Sequence, residues 1–176
     1  MSQSIFQTLA LIFKEYNVRC VLIGGYAVNA HKVTRHTVDV DFLITREDFN
    51  KVLTSLNNLG YKIIHEQETF LQLACVGFRD IDFMLSDTAT LKKIFDTGDR
   101  VVIADEEFIT PNLMNLIALK LHSVKWNRHR ELIDIPDIIL LLQANDITIE
   151  SPDIKIVFEK YGTPELFRMV QEGIKK

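Results

Sequence analysis

The chain reads as an α/β (α+β) protein. An antiparallel or mixed sheet flanked by helices is predicted over residues 1–109, followed by a helical C-terminal region over 110–176 that is expected to pack on it. Three observations predict this. Short β-rich runs ended by Gly or turn residues alternate with stretches of helical periodicity as far as Pro111. Beyond Pro111 only helical periodicity continues. The composition is globular, with 176 residues, 47% hydrophobic and 25% charged, which is enough chain to bury a core.

The elements follow in order. Ile5, Leu9, Ile12, Phe13 and Tyr16 recur at helical spacing and predict a helix over 3–16. Residues 18–23 are a short apolar strand broken by Gly24-Gly25, and residues 26–31 suit a short helix. Residues 38–44 alternate as a strand, with Val38, Val40 and Phe42 on its core side. Phe49, Val52, Leu53 and Leu56 mark a helix over 46–58 that ends near Gly60. Strands are expected at 61–65, 70–76 and 81–85, a helix at 88–96 and a last strand at 101–104. Helical patterns then cover 112–125, 136–143, 153–161 and 164–174, with Pro152 and Pro164 suited to the first turns of the last two.

Composition also excludes some function classes. A net charge of −4 and a pI near 5.7 argue against a protein that grips duplex nucleic acid through its phosphates, though not against one that holds an RNA end. Cys20 and Cys75 lie in apolar runs and form no CxxC pair, as expected of buried thiols in a reducing compartment. The first segment is an amphipathic helix and not a signal peptide. No run approaches the ~20 apolar residues needed to span a bilayer. A cytoplasmic, non-membrane protein is expected.

The chemistry concentrates on acidic strands. On a strand, residues i and i+2 share a face, so Asp39 and Asp41 aim together. Two carboxylates this close repel unless a cation neutralises them, and oxygen-rich clusters suit Mg²⁺ or Mn²⁺. Alone, Asp-x-Asp is more often the polar face of an ordinary strand. Asp80-Ile81-Asp82 repeats the alternation about forty residues on, and either aspartate can complete a three-carboxylate cluster. Asp82 is preferred because it lies deeper in the apolar run, and Asp80 can simply end the preceding turn. Gly24-Gly25 stands between a strand and a helix, where small residues let backbone N–H groups approach an anion. A lone Gly-Gly is usually only a turn.

The order of these features carries more than any one of them. Asp39 follows Gly25 by fourteen residues, and a third aspartate follows on a later strand. The stretch LIGGYAVNAHKVTRHTVDVDFLI resembles the DNA polymerase β-like nucleotidyltransferase superfamily, especially its small prokaryotic members, which include minimal nucleotidyltransferases and abortive-infection toxins. Those members often carry an Arg and a Thr ahead of the aspartate pair, as Arg35 and Thr37 stand ahead of Asp39 and Asp41. The resemblance implies a nucleotidyltransferase-type sheet in which Gly24 and Gly25 contact the triphosphate of an NTP. It implies that Asp39, Asp41 and Asp82 hold Mg²⁺ or Mn²⁺ and form the catalytic centre. Gly25 stands where many members have Ser, so a side-chain hydroxyl to phosphate is missing there.

A further cation is Lys120, on or beside the apolar stripe Leu113, Leu116, Ile117, Leu121 and Val124. It either snorkels to solvent or, as the resemblance implies, contacts the nucleotide phosphates. Asp134 and Asp137 are read as pairing with Arg128 or Arg130, or as capping a helix that opens at Pro136. His31 and His36 flank the expected pocket and are read as structural or solvated. Lys125, Arg128, His129 and Arg130 around Trp126 are a solvated loop or an RNA contact.

The expected function is metal-dependent transfer of a nucleoside monophosphate from an NTP to an acceptor hydroxyl on a tRNA or other RNA end, a protein or a small molecule. The alternative is a weakly catalytic or non-catalytic component of a toxin–antitoxin or defence pair that acts by binding a cognate protein. The apolar C-terminal helices are open to either an intramolecular or an oligomeric contact.

Overall fold

The computed structural model describes residues 4–175. The chain divides into two compact units. The first takes in the chain up to Ala27 and His36–Pro111, and the second takes in Val28–Arg35 and the chain from Asn112 onward.

The first part of the chain runs α1 (Ile5–Glu15), β1 (Cys20–Leu22), α2 (Gly24–Ala30), β2 (Val40–Ile44), α3 (Arg46–Asn58) and β3 (Lys62–Gln67). It continues with β4 (Phe70–Ala74), β5 (Ile81–Leu85), α4 (Thr88–Asp96), β6 (Asp99–Ile103) and β7 (Glu106–Thr110). Five strands form one sheet in the order β1-β2-β5-β4-β3, and β6 and β7 form a separate hairpin. β2 and β5 are parallel, and the other pairs of the large sheet are antiparallel. This is the mixed α/β architecture that alternating periodicities predict.

The ends of the helices show why they start where they do. Ser4 caps α1 and exchanges hydrogen bonds with Gln7 in a capping box, so the helix begins inside the expected range of 3–16; residue 3 lies outside the described residues. Thr45 caps α3 through the Asp48 amide, and Glu47 and Asp48 add negative charge to its first turn. Buried side chains of α1 and α3 join Val40, Phe42, Ile81 and Phe83 in one apolar cluster. Phe42 meets Phe13 and Phe83 meets Phe49 edge-on, at 5.1 and 5.2 Å between ring centroids. Each fully buried Phe contributes about 1.5–3 kcal/mol, so this layer sets the alternation of β2 and β5.

Two expectations change. Strand β2 begins at Val40, and Val38 is 60% exposed instead of facing the core. β7 lies where no strand is predicted. Its hairpin turns through Ala104 and Asp105, both at positive φ (51° and 65°), without the Asn-Gly signal such a turn usually carries.

The second unit is helical. It is built from α5 (Leu113–Trp126), α6 (Glu131–Ala144), α7 (Pro152–Tyr161) and α8 (Pro164–Ile174), with a 3-10 turn at Arg128–Arg130. α5 packs on α6 and α7, and α8 packs on α6 and α7. Leu116, Ile117, Leu121, Ile138, Leu141, Leu142, Ile154 and Val170 are all buried. α6 does not open at Pro136; it runs through it from Glu131. The missing amide of Pro136 removes one helical bond. The turn before it is anchored instead by Asp134, a buried residue paired with Lys120 and Arg130. Among the described residues, no helix is long and apolar enough to cross a membrane.

Candidate active site

The site begins where β1 ends. The Ile23 amide donates to the Asp41 carbonyl at 2.9 Å, which fixes the register of the turn against β2. Gly24 follows at φ +64°, a backbone conformation that costs other residues dearly. A Cβ built on Gly24 would stand 2.0 Å from Asp41 Oδ2. The Asp41 carboxylate therefore occupies the space that any side chain at residue 24 would need.

Asp82 is brought to the same place by strand pairing. β2 and β5 run parallel with Asp41 opposite Asp82, and their flanking residues Val40, Phe42, Ile81 and Phe83 are fully buried. Since alternate residues face opposite sides, the two aspartates share the other face, on strands about 4.8 Å apart.

Thr37 reaches the site from the segment before β2, in which Asp39 also lies. A Cβ on Gly25 would lie 2.6 Å from Thr37 Cβ and 2.7 Å from Thr37 Oγ1, so the Thr37 side chain fills the room left by that glycine. The Thr37 hydroxyl donates to the Asp39 carbonyl at 3.3 Å. Asp39 itself stands at a bend just ahead of β2, half-buried. Among the described residues, no three Asp, Glu, His or Cys side chains are gathered into a ready metal-binding group. The register joins Asp41 to Asp82 and leaves Asp39 outside the ladder.

Arg35 and Lys120 belong to the second unit, where they share a carboxylate. Arg35 Nη1 donates to Asp137 Oδ2 at 3.0 Å, and Lys120 Nζ donates to the same oxygen at 2.7 Å. Lys120 also donates to Asp134 Oδ1 at 2.9 Å, and Arg130 Nε donates to Asp134 Oδ2 at 3.0 Å. The Lys120 side chain is only 5% exposed, so it neither snorkels to solvent nor stands open to a phosphate. Burial alone would raise the Asp134 carboxyl; Lys120 and Arg130 outweigh it and hold the group below its ordinary value. Asp134 thus pairs with Arg130, one of its two expected partners, and with Lys120, which sequence alone did not suggest.

Three of the remaining candidates make structural contacts. The His31 carbonyl accepts from Asn145 Nδ2 at 3.0 Å, and the Asp80 carbonyl accepts from the Val40 amide at 3.1 Å. Arg128 pairs with Glu165 at 3.1 Å, and Trp126 is 77% exposed.

No protein-family model matches the chain, and no curated protein matches it. Solved structures do. The crystal structure of ANT(2'')-Ia in complex with adenylyl-2''-tobramycin matches at a TM-score of 0.67 and 15% identity, over 89% of this chain and 94% of that one. The lincomycin-bound lincosamide antibiotic adenylyltransferase LnuA matches at 0.54 and 19%, over 78% of this chain and 96% of that one. A CCA-adding enzyme in complex with ATP matches at 0.51 and 16%, over 98% of this chain and 47% of that one.

The chain has a nucleotidyltransferase fold.

Within this nucleotidyltransferase fold, a substitution at the turn has a calculable effect. Gly24→Ala is expected to destabilise the protein by about 2 kcal/mol or more, from the positive φ and from displacement of the Asp41 carboxylate. Urea denaturation checks it, and a loss under about 0.5 kcal/mol would show that the turn relaxes freely. Sequence reasoning missed Arg79 beside this turn. It is exposed and lies two residues before β5, in no motif, and only its contacts single it out.

Proposed function

We propose that the chain is a metal-dependent nucleotidyltransferase that moves a nucleoside monophosphate from an NTP to an acceptor hydroxyl, with pyrophosphate as leaving group. The observation that carries this is the pairing of Asp41 with Asp82 across parallel strands, beside a glycine turn whose empty side-chain space holds the Asp41 carboxylate. Carboxylate oxygens in such a pair fit Mg²⁺ or Mn²⁺, hard cations that take oxygen ligands. Asp41 and Asp82 would hold the metal, with Asp39 joining from its bend when nucleotide enters. Bound metal supplies the positive charge that offsets the triphosphate and the departing pyrophosphate.

The chain's own residues do the rest. Backbone amides at Gly24 and Gly25 approach the phosphates closely because neither carries a side chain. Thr37 fills the room beside Gly25, with its hydroxyl donating to the Asp39 carbonyl. Asp82 orients the attacking acceptor hydroxyl and draws its proton. Arg35 donates to Asp137 within the second unit. Lys120 is assigned to neutralising Asp134 and Asp137 instead of the nucleotide. The acceptor is an RNA end, a protein hydroxyl or a small molecule, and the compartment is the cytoplasm.

The test is a melting curve with each NTP and Mg²⁺ or Mn²⁺. The wild-type melting temperature is expected to rise, and Asp39→Ala with Asp41→Ala is expected to abolish the rise. Absence of any shift with all four NTPs and both ions would remove the enzymatic reading in favour of a protein-binding role.

A further inference from the structure

We infer that Arg79 is a positioning residue that holds the Thr37–Asp39 segment in its place beside Gly25. The inference rests on the nucleotidyltransferase reading only for its consequence, not for its geometry. Residues 36–38 form neither helix nor strand, so no ladder holds them. Arg79 Nη1 donates to the Thr37 carbonyl at 3.1 Å and to the Val38 carbonyl at 2.8 Å. These charge-assisted bonds tie the segment from outside its own backbone.

The clamp is itself anchored in the core. The Tyr61 hydroxyl donates to the Arg79 carbonyl at 3.0 Å, and Tyr61 is 1% exposed. One residue on, the Asp80 carbonyl accepts from the Val40 amide at 3.1 Å and closes the gap between the clamp and β2. The connection thus runs from a buried tyrosine, through Arg79, to the carbonyls of Thr37, the residue packed on Gly25, and of Val38. The same clamp explains why β2 starts at Val40. The Thr37 and Val38 carbonyls face a guanidinium and not a neighbouring strand.

With the clamp intact, Thr37 and Asp39 are ordered before nucleotide arrives. Without it, binding must also order the segment, so affinity falls while the fold, at whose surface Arg79 is exposed, persists.

The test uses Arg79→Gln, which removes the charge and fork, and Arg79→Lys, which keeps the charge. Trypsin reports the segment from its N-terminal side, because the Arg35–His36 bond lies just ahead of it. Cleavage after Arg35 is expected to be roughly tenfold faster in Arg79→Gln than in wild type, and intermediate in Arg79→Lys. Apo melting temperatures should agree across the three proteins. The melting shift with Mg²⁺ and ATP, CTP, GTP or UTP should be smaller in Arg79→Gln, matching a roughly tenfold weaker Kd, and partly rescued in Arg79→Lys. Equal cleavage rates in wild type and Arg79→Gln would overturn the clamp. Faster cleavage with an undiminished nucleotide shift would overturn its role in the site. A wild type that shows no nucleotide shift sinks the nucleotidyltransferase reading, while the cleavage rates still decide the clamp.

Discussion

Asp82→Asn is expected to slow nucleotidyl transfer by at least about a thousandfold, with little change in stability. The amide keeps the shape of the carboxylate and removes only its charge. If Asp41 and Asp82 together neutralise a cation that stabilises developing negative charge, losing half of that pair removes several kcal/mol from the transition state. About 4 kcal/mol corresponds to a thousandfold in rate. Asp41→Asn should be similar, and the double variant should be little worse than either, because groups that act as a unit are not additive. The measurement is label transfer from each radiolabelled NTP to RNA, protein or small molecules in a cell extract. Activity within tenfold of wild type in Asp82→Asn would take Asp82 out of the catalytic centre.

Lys120→Met should destabilise the second unit by about 3–5 kcal/mol. The ammonium lies between two buried carboxylates, and only Arg130 on Asp134 and Arg35 on Asp137 would remain to offset them. Methionine fits the stem of the side chain but leaves two buried carboxylates with one arginine each, Arg130 on Asp134 and Arg35 on Asp137. Asp134→Asn with Asp137→Asn in the Lys120→Met background should recover most of the loss, since removing all charges is far less costly than removing one side. The same cluster fixes a pH dependence. Asp134 is held below its unfolded value, so its contribution is complete above the usual carboxylate pKa of about 3.9 and disappears as pH falls through the lower folded value. In Lys120→Met the Asp134 carboxyl loses a cation and rises, so acid unfolding should begin at higher pH. Urea melts at pH 7 and pH 4 check both effects. A variant within 1 kcal/mol of wild type at pH 7 would mean that the cluster is solvated or protonated.

Much of this arrangement was legible from residue pattern. Helix α3, helix α4 and strand β5 coincide with their periodicities, because each carries its own apolar stripe or alternation. Gly24-Gly25, Asp41 and Asp82 were legible as a series, and strand register puts them side by side. What escaped was decided by partners distant in sequence. β7 follows a turn with no turn signal, and α6 begins ahead of its proline because Asp134 is held from α5. Lys120 reads as an interruption in an apolar stripe, and nothing in the stripe says that its charge is answered by aspartates 14 and 17 residues on. Arg79 is an exposed arginine in a loop, indistinguishable by pattern from any other.

The place of β5 has a consequence for how the chain assembles. It is the third strand of five, between β2 and β4, yet it is made after both. Until it inserts, β1-β2 and β3-β4 are two separate antiparallel ribbons with no shared hydrogen bonds. The strand that completes the hydrogen-bonded sheet is the one that delivers Asp82 to Asp41. A nascent chain halted before Ile81 would therefore expose two open strand edges and hold half of its acidic pair, so sheet closure and assembly of that pair are one event.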